Sequence, residues 1–313
     1  MANDPANDDL YSKVLSLNLF DNDDDEEDAV CKQKLTDLAN GTTNPRNAAI
    51  DFDRWVVQRA NHRLTELLKK NGHGSAPRYA SPNVSGTIEV TWAAIARLCS
   101  AFPPHHPGQD TIIQFLEVLG DLPKHQAPDQ MPESEGDETH LLTLWQFGDN
   151  DMSPTEIFRR EAEEFSYPYS DIETPGSEVA VRWRNFQSAV ARITALGISN
   201  LAFLSALGDI LPSHPLYPDL EERKIGGPNR VSGDTVAAAQ WIMWPDEGRF
   251  AYQQCKNLRE TGPRSMWHPE RWQQWKVQFA FVEGDDRFTP KARLAAKLAR
   301  QQMASFEEED RSQ

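Results

Sequence analysis

The sequence predicts an all-α protein, a multi-helix globular bundle of roughly ten to eleven helices joined by long polar loops, with no sheet. Three observations carry this. Apolar residues recur at three- and four-residue spacing in segment after segment. No run shows the strict alternation and the Val, Ile and Thr richness of a strand. Several segments open on a capping side chain followed by proline, which suits a helix start because the first turn leaves backbone donors unused.

Taken in order, the apolar period places helices near 8–19, 29–39, 46–70, 86–101, 109–121 and 154–166. Others follow near 177–196, 200–211, 234–258, 270–283 and 290–306. Ser153-Pro154-Thr155-Glu156 combines a capping hydroxyl, a proline and a Glu that can reach back to the cap; Thr289-Pro290 and His268-Pro269-Glu270 are simpler versions. Gly197 separates two apolar helices, and Pro245 predicts a kink or a restart at Asp246. Residues 123–140 read as a polar loop or linker with three prolines, and 212–233 as a loop with four prolines and Gly226-Gly227.

The domain reading is an acidic, largely flexible N-terminal arm (1–28), a helical domain (29–306) with 123–140 as a candidate subdivision, and an acidic tail (307–313). Much of the acidity is local: residues 1–50 hold eleven Asp and Glu against four Lys and Arg. A net charge of −16 without a clustered basic surface argues against a nucleic-acid partner. Cys31, Cys99 and Cys255 are too few and too scattered for a disulfide framework or a zinc site. The N-terminus lacks signal-peptide character, and no stretch reaches the ~18 apolar residues of a membrane span. A soluble intracellular, cytoplasmic protein is therefore expected, in which neither disulfides nor glycans at the Asn40 and Asn83 sequons have a place.

Catalytic motifs are scarce. Asp24-Asp25-Glu26-Glu27-Asp28 matches the D-D-x-x-D carboxylates that hold magnesium on a diphosphate in class I terpenoid cyclases. Its surroundings lack an apolar pocket face, and the companion motif is missing, so it reads as a solvated run leading into a helix. His62 and Glu66 share a helix face without a third ligand, and His105-His106 sits in a proline turn. Asn71-Gly72-His73-Gly74-Ser75 follows a helix and reads as its stop rather than a phosphate cradle. No metal, no cofactor and no assigned catalytic residue are expected.

Two W-x-x-W pairs remain, Trp241 with Trp244 and Trp272 with Trp275. Such aromatic stripes are core packing or the walls of a ligand pocket, and the core reading is favoured; Gln240 or Gln274 is placed to accept from an indole. Gln240, Trp241, Trp244, Trp272 and Trp275 are thus the ligand-binding candidates if a pocket exists. The segments AAAQWIMWPDEGRFAYQQC, RWQQWKVQFAFVE and TPKARLAAKLARQQM resemble the signature of an uncharacterised fungal all-helical family, a domain of unknown function. Ala239, Gln240, Trp241, Ile242, Trp244, Trp272, Trp275 and Phe279 carry the resemblance, clearest over the last quarter and weaker from about residue 180. It implies a helical fold and transfers no catalytic residue. The function expected is a binding or interaction protein, with a protein or a small apolar ligand as partner. The alternative is a cofactor-independent enzyme acting on an apolar molecule in an aromatic pocket.

Overall fold

Two of the helix starts read from sequence act as such in the computed structural model. Thr289 accepts from the Ala292 N–H and His268 from the Glu270 N–H, each with proline next in the chain. The structure describes residues 10–71, 82–130, 139–147, 154–167, 172–174, 177–257 and 266–312, so Ser153 lies outside it. Ten α-helices form among them: α1 (Glu26–Ala39), α2 (Pro45–Asn71), α3 (Val84–Ala101), α4 (Pro107–Asp121), α5 (Pro154–Glu161), α6 (Glu178–Ala195), α7 (Gly226–Ala238), α8 (Pro245–Lys256), α9 (Pro269–Gly284) and α10 (Pro290–Arg311). A π turn, Ala162–Ser166, prolongs α5, and 3-10 turns occupy Ala202–Leu204 and Ala239–Trp241.

The expectation of no sheet is corrected. β1 (Gln126–Gln130) pairs antiparallel with β2 (His140–Thr143), with Ala127 opposite Leu142 and an irregularity between Pro128 and Gln130. These strands are too short and too polar for alternation to reveal them. Asp129, buried on β1, accepts the Ser85 N–H at 2.7 Å and so helps cap α3.

Four segments also differ from the sequence reading. Residues 200–211 form the 3-10 turn and further turns, because neighbouring side chains satisfy their backbone: Leu201 N–H donates to Thr194 Oγ1, and Ala206 N–H to Gln187 Oε1. The predicted helix 234–258 is instead α7, a 3-10 turn and α8, with Pro245 itself opening α8. α7 begins inside the predicted 212–233 loop. Residues 11–19, read as part of a helix near 8–19, form turns and irregular chain.

The expected break at Gly197 has a physical form. Gly197 adopts φ +71°, Ile198 N–H donates to Ile193 O at 3.1 Å and Gly197 N–H to Thr194 O at 3.0 Å, a Schellman arrangement closing α6.

The chain divides into two units. The smaller comprises Asn18–Leu98 and Pro107–Phe158. In it α2 packs on α4 and β1, and Phe52 contacts the rings of Phe115 and Trp145 at centroid distances of 5.7 and 5.9 Å. Trp145 donates to Asp53 at 2.7 Å, so its buried indole is satisfied.

The larger unit comprises the chain up to Leu17, Cys99–His106 and Arg159–Gln313. Its axis is α6, with thirteen of eighteen residues buried, so the helix has almost no solvent face. α7, α8 and the π turn pack on α6, while α10 packs on α7, α8 and α9. Gly248 is fixed by close approach: a Cβ there would lie 2.3 Å from the Ile242 carbonyl oxygen and 2.8 Å from Phe306.

Candidate functional site

The tryptophan pairs are set by the break between α7 and α8 and by the inward face of α9. Trp241, Trp272 and Trp275 are buried at 0%, 2% and 1% exposure, whereas Trp244, the residue before Pro245, is half-buried against the ring of His105. Trp267 bridges the pairs, 6.1 Å from Trp241 and 6.2 Å from Trp275 between ring centroids. The five candidates thus divide into four packed side chains and one partly open ring. Gln240 is also buried, donates to Val236 O and accepts from Trp244 Nε1 at 3.0 Å.

Other indoles use partners that the sequence did not reveal. Trp241 Nε1 donates to Gln187 Oε1 at 2.6 Å, and Trp272 Nε1 to Glu307 Oε1 at 2.9 Å. Gln274 accepts from Arg271 instead of an indole. Trp275 Nε1 has no hydrogen-bond partner among the described residues.

Gln187 is the centre of this polar lattice. Besides Trp241 it accepts from Ala206 N–H at 2.9 Å, and it donates to Leu204 O at 2.8 Å. On the same helix Arg182 donates to Ser16 O at 2.6 Å and Arg184 to Tyr11 O at 2.8 Å. Tyr11 lies between two cations, with Arg184 at 4.7 Å and Lys291 at 3.7 Å from its ring centroid. Burial holds the Arg184 guanidinium down to about 10, with Tyr11 acting in the opposite direction.

A second cluster escaped sequence reasoning. Arg230 and Asp234, one turn apart on α7, are buried with Tyr167. Arg230 Nη2 donates to the Tyr167 hydroxyl at 2.9 Å, and its Nε lies 3.7 Å from Asp234 Oδ2. Burial pushes Asp209 up to about 7 against the pull of Arg230, although 22% of its side chain remains exposed. Burial, then the charge of Asp209, also raises Asp234. His214 Nε2 stands 3.5 Å from Asp209, and burial together with Arg230 lowers its pKa. One guanidinium serves two carboxylates, so retaining a proton near neutrality relieves the cluster. Apart from the i, i+4 spacing of Arg230 and Asp234, its members sit at no motif spacing, which left the sequence without a signal for the cluster.

The acidic run at 21–28 is engaged by its own chain. Asp25 caps α1 by accepting from Glu27 and Asp28 N–H, Asp21 and Asp24 hold Lys32, and Glu27 pairs with Arg59 and Arg63. Burial alone would raise Asp21, but hydrogen bonds from Lys32 and Arg97 outweigh it and hold the carboxyl below its usual range. Residues 1–9 of the predicted arm, and Gly72 to Ser75, lie outside the described residues. At the other end, α10 runs through the acidic tail to Arg311, with Glu307 bound to Lys276 and Glu309 to Arg249.

Among the described residues no group of three His, Cys, Asp or Glu is arranged for a metal ion, and no helix is long and apolar enough to cross a membrane. A cavity of about 10 Å³, room for about one water, is lined by Val56, Arg59, Ala60, Arg63, Asn83, Val84 and Thr87. None of these is a tryptophan candidate. The three thiols are free and buried, and burial raises each: Cys31 to about 11, Cys99 and Cys255 to about 12. They are poor nucleophiles near neutral pH.

The outward face of α9 differs in kind. Gln273, Gln274, Val277, Ala280, Phe281 and Gly284 are exposed and fall within about 120° of helix circumference. Val277 is 69% exposed and Phe281 37%, and the stripe contains no charge. The opposite face buries Trp272, Trp275, Phe279 and Val282. α9 therefore carries apolar side chains on two sides, and the larger unit covers the one that bears the tryptophans; the outward side is uncharged and mixed, with Val277, Ala280 and Phe281 beside Gln273 and Gln274.

These features define a mostly helical protein with one small antiparallel sheet, in which inner polar groups such as Gln187 bind the chain's own backbone. The chain belongs to the family described as protein of unknown function (DUF3632), which matches residues 92–279. The match includes all eight positions that carried the resemblance, but it begins at Trp92, well before residue 180, and leaves the closing helix α10 outside. No curated protein and no solved structure matches the chain.

Proposed function

We propose that the chain is a non-enzymatic interaction protein that presents the outward face of α9 to another protein. The carrying observation is the contrast between the two sides of this helix: Trp272 and Trp275 are spent on packing, while Val277 and Phe281 are exposed in a stripe that holds no charged side chain. On this reading Gln240, Trp241, Trp272 and Trp275 support the fold, and Trp244 is the candidate ring left to meet a ligand. The free, buried thiols support an intracellular, reducing setting.

A photo-crosslinking residue at position 277, introduced in living cells, tests this. A discrete adduct with another polypeptide, absent when the same residue replaces exposed Asn61, is the expected result. The absence of any adduct at 277 would overturn the interaction reading.

One observation favours an enzyme as the second reading. Asp209 is partly exposed and carries a carboxyl pushed up to about 7, where an acid can both give and take a proton at neutral pH.

A further inference from the structure

We infer that Asp209 and His214 form a proton-operated latch on the turn 212–217: the turn is closed while the carboxyl pair Asp209 and Asp234 keeps a proton, and it loosens when the pair loses it. This goes beyond the interaction reading and does not depend on it.

The cluster is built around one guanidinium. Arg230 Nε lies 3.7 Å from Asp234 Oδ2, Arg230 Nη2 donates to the Tyr167 hydroxyl at 2.9 Å, and that hydroxyl in turn donates to Asp234. Tyr167 is backed by the Trp183 ring of α6, 4.6 Å away between centroids. Asp234 is 2% exposed, and no hydrogen-bond donor among the described residues reaches its Oδ1. A carboxylate with one oxygen buried and unsolvated is costly, so the site favours the acid form. Asp209 faces Asp234 and the same Arg230; Glu173 on the 172–174 segment also acts on Arg230 but is bound by Arg223. Two carboxylates thus share one cation, and a retained proton balances them.

The turn hangs from this cluster. It lies between buried Leu211 and Pro218, and His214 organises it. The His214 N–H donates to Leu211 O at 2.9 Å, its carbonyl accepts from Tyr217 N–H at 3.0 Å, and its Nδ1 accepts from Leu216 N–H at 3.4 Å. With Nδ1 accepting, the ring proton sits on Nε2, which stands 3.5 Å from Asp209 Oδ1. At the other end of the turn, Gln278 donates to the Tyr217 hydroxyl at 3.1 Å.

Ionisation undoes the tie to Asp209. Burial and Arg230 both lower the His214 pKa, so near neutrality the imidazole offers Asp209 no positive charge. An ionised Asp209 is repelled by Asp234, and with 22% of its side chain already exposed it can rotate into water. His214 then loses its acceptor. Burial raises the Asp209 carboxyl from 3.8 to about 7, so the closed turn holds the extra proton; opening grows as pH rises between these values and levels off above them.

Hydrogen exchange of the full chain, followed by NMR and corrected for the intrinsic pH dependence of amide exchange, tests this at the His214, Leu216 and Tyr217 amides. One proton sets a ceiling of about tenfold more opening per pH unit, and partial exposure of the cluster leaves at least about threefold, from about pH 5 to about pH 7. Asp209→Asn cannot ionise and should keep the turn protected without a slope. His214→Phe keeps a ring but lacks the N–H, and its turn amides should exchange fast at every pH. Opening of the turn is local, so low urea should leave it unchanged while amides of α7 speed up. Turn amides unprotected at about pH 5, protection without a slope in the native chain, a slope that persists in either variant, or turn exchange that tracks α7 in urea would each overturn the latch.

Discussion

Replacing Gln187 with leucine keeps the side-chain volume close to native but removes every hydrogen bond it makes. The buried Ala206 N–H and the Trp241 indole N–H lose their shared acceptor, and Leu204 O loses its donor. Leu204 is only half-buried, so its carbonyl can turn to water and costs little. Each of the other two donors, left buried and unsatisfied, costs about 1–3 kcal/mol, and the apolar leucine recovers part of that. The net expected loss is about 3 kcal/mol. Urea denaturation followed by far-UV dichroism measures it, since nine tryptophans would make fluorescence composite. Trp241→Phe removes one partner, so the double substitution should cost about 1 kcal/mol less than the sum of the singles. A loss below about 1 kcal/mol for Gln187→Leu, or strict additivity with Trp241→Phe, would refute the view that this amide holds the irregular 200–211 segment to α6.

The tryptophans should separate by burial: Trp241→Ala and Trp272→Ala lose about 3–5 kcal/mol in denaturant melts, and half-buried Trp244→Ala loses about 1–2. Equal losses at all three would contradict the packing described. Gly248→Ala should destabilise by about 1–3 kcal/mol despite alanine's better helix propensity, because the added methyl meets the Ile242 carbonyl and Phe306; an unchanged or higher melting point would be the contrary result. The Asp209 carboxyl is raised on folding, so the folded state holds an extra proton between the ordinary value of 3.8 and about 7, and stability falls as pH rises through that window. At about 1.4 kcal/mol per pKa unit, reduced for partial exposure, Asp209→Asn should stabilise by about 2 kcal/mol above pH 7 and flatten the pH profile of the melting temperature. A profile identical to that of the unsubstituted chain would count against it.

The helical architecture was legible because capping chemistry and apolar period are local signals. His268, Thr289 and Gly197 each act through atoms within a few residues, and each was readable. The burial of Trp241 and Trp272, and the openness of Trp244 beside a proline, followed from the same logic. What was not legible depends on pairing across long sequence separations. Gln187 reaches Trp241, and Arg230 reaches Tyr167, across spans where no spacing rule applies. The 200–211 segment has helical composition, but side chains of α6 compete for its backbone, so local propensity lost to tertiary bonding. On α9 the sequence reading singled out Trp272 and Trp275, which are indeed buried, and assigned no role to Val277, Ala280 and Phe281 on the other side.

The attachment of residues 11–16 to α6 has a consequence for synthesis. Tyr11 and Ser16 are made well before their anchors, Arg184 and Arg182, which lie 173 and 166 positions later, and Lys291 comes later still. A ribosome therefore releases the opening segment long before the side chains that will hold it exist. The smaller unit, whose last residue is Phe158, is fully translated in the interval. Such contacts between the first and last portions of a chain close large loops and slow folding. Completion of the larger unit accordingly waits for α6 to be made, and a protease or chaperone acting on the nascent chain meets residues 11–16 before α6 can shield them.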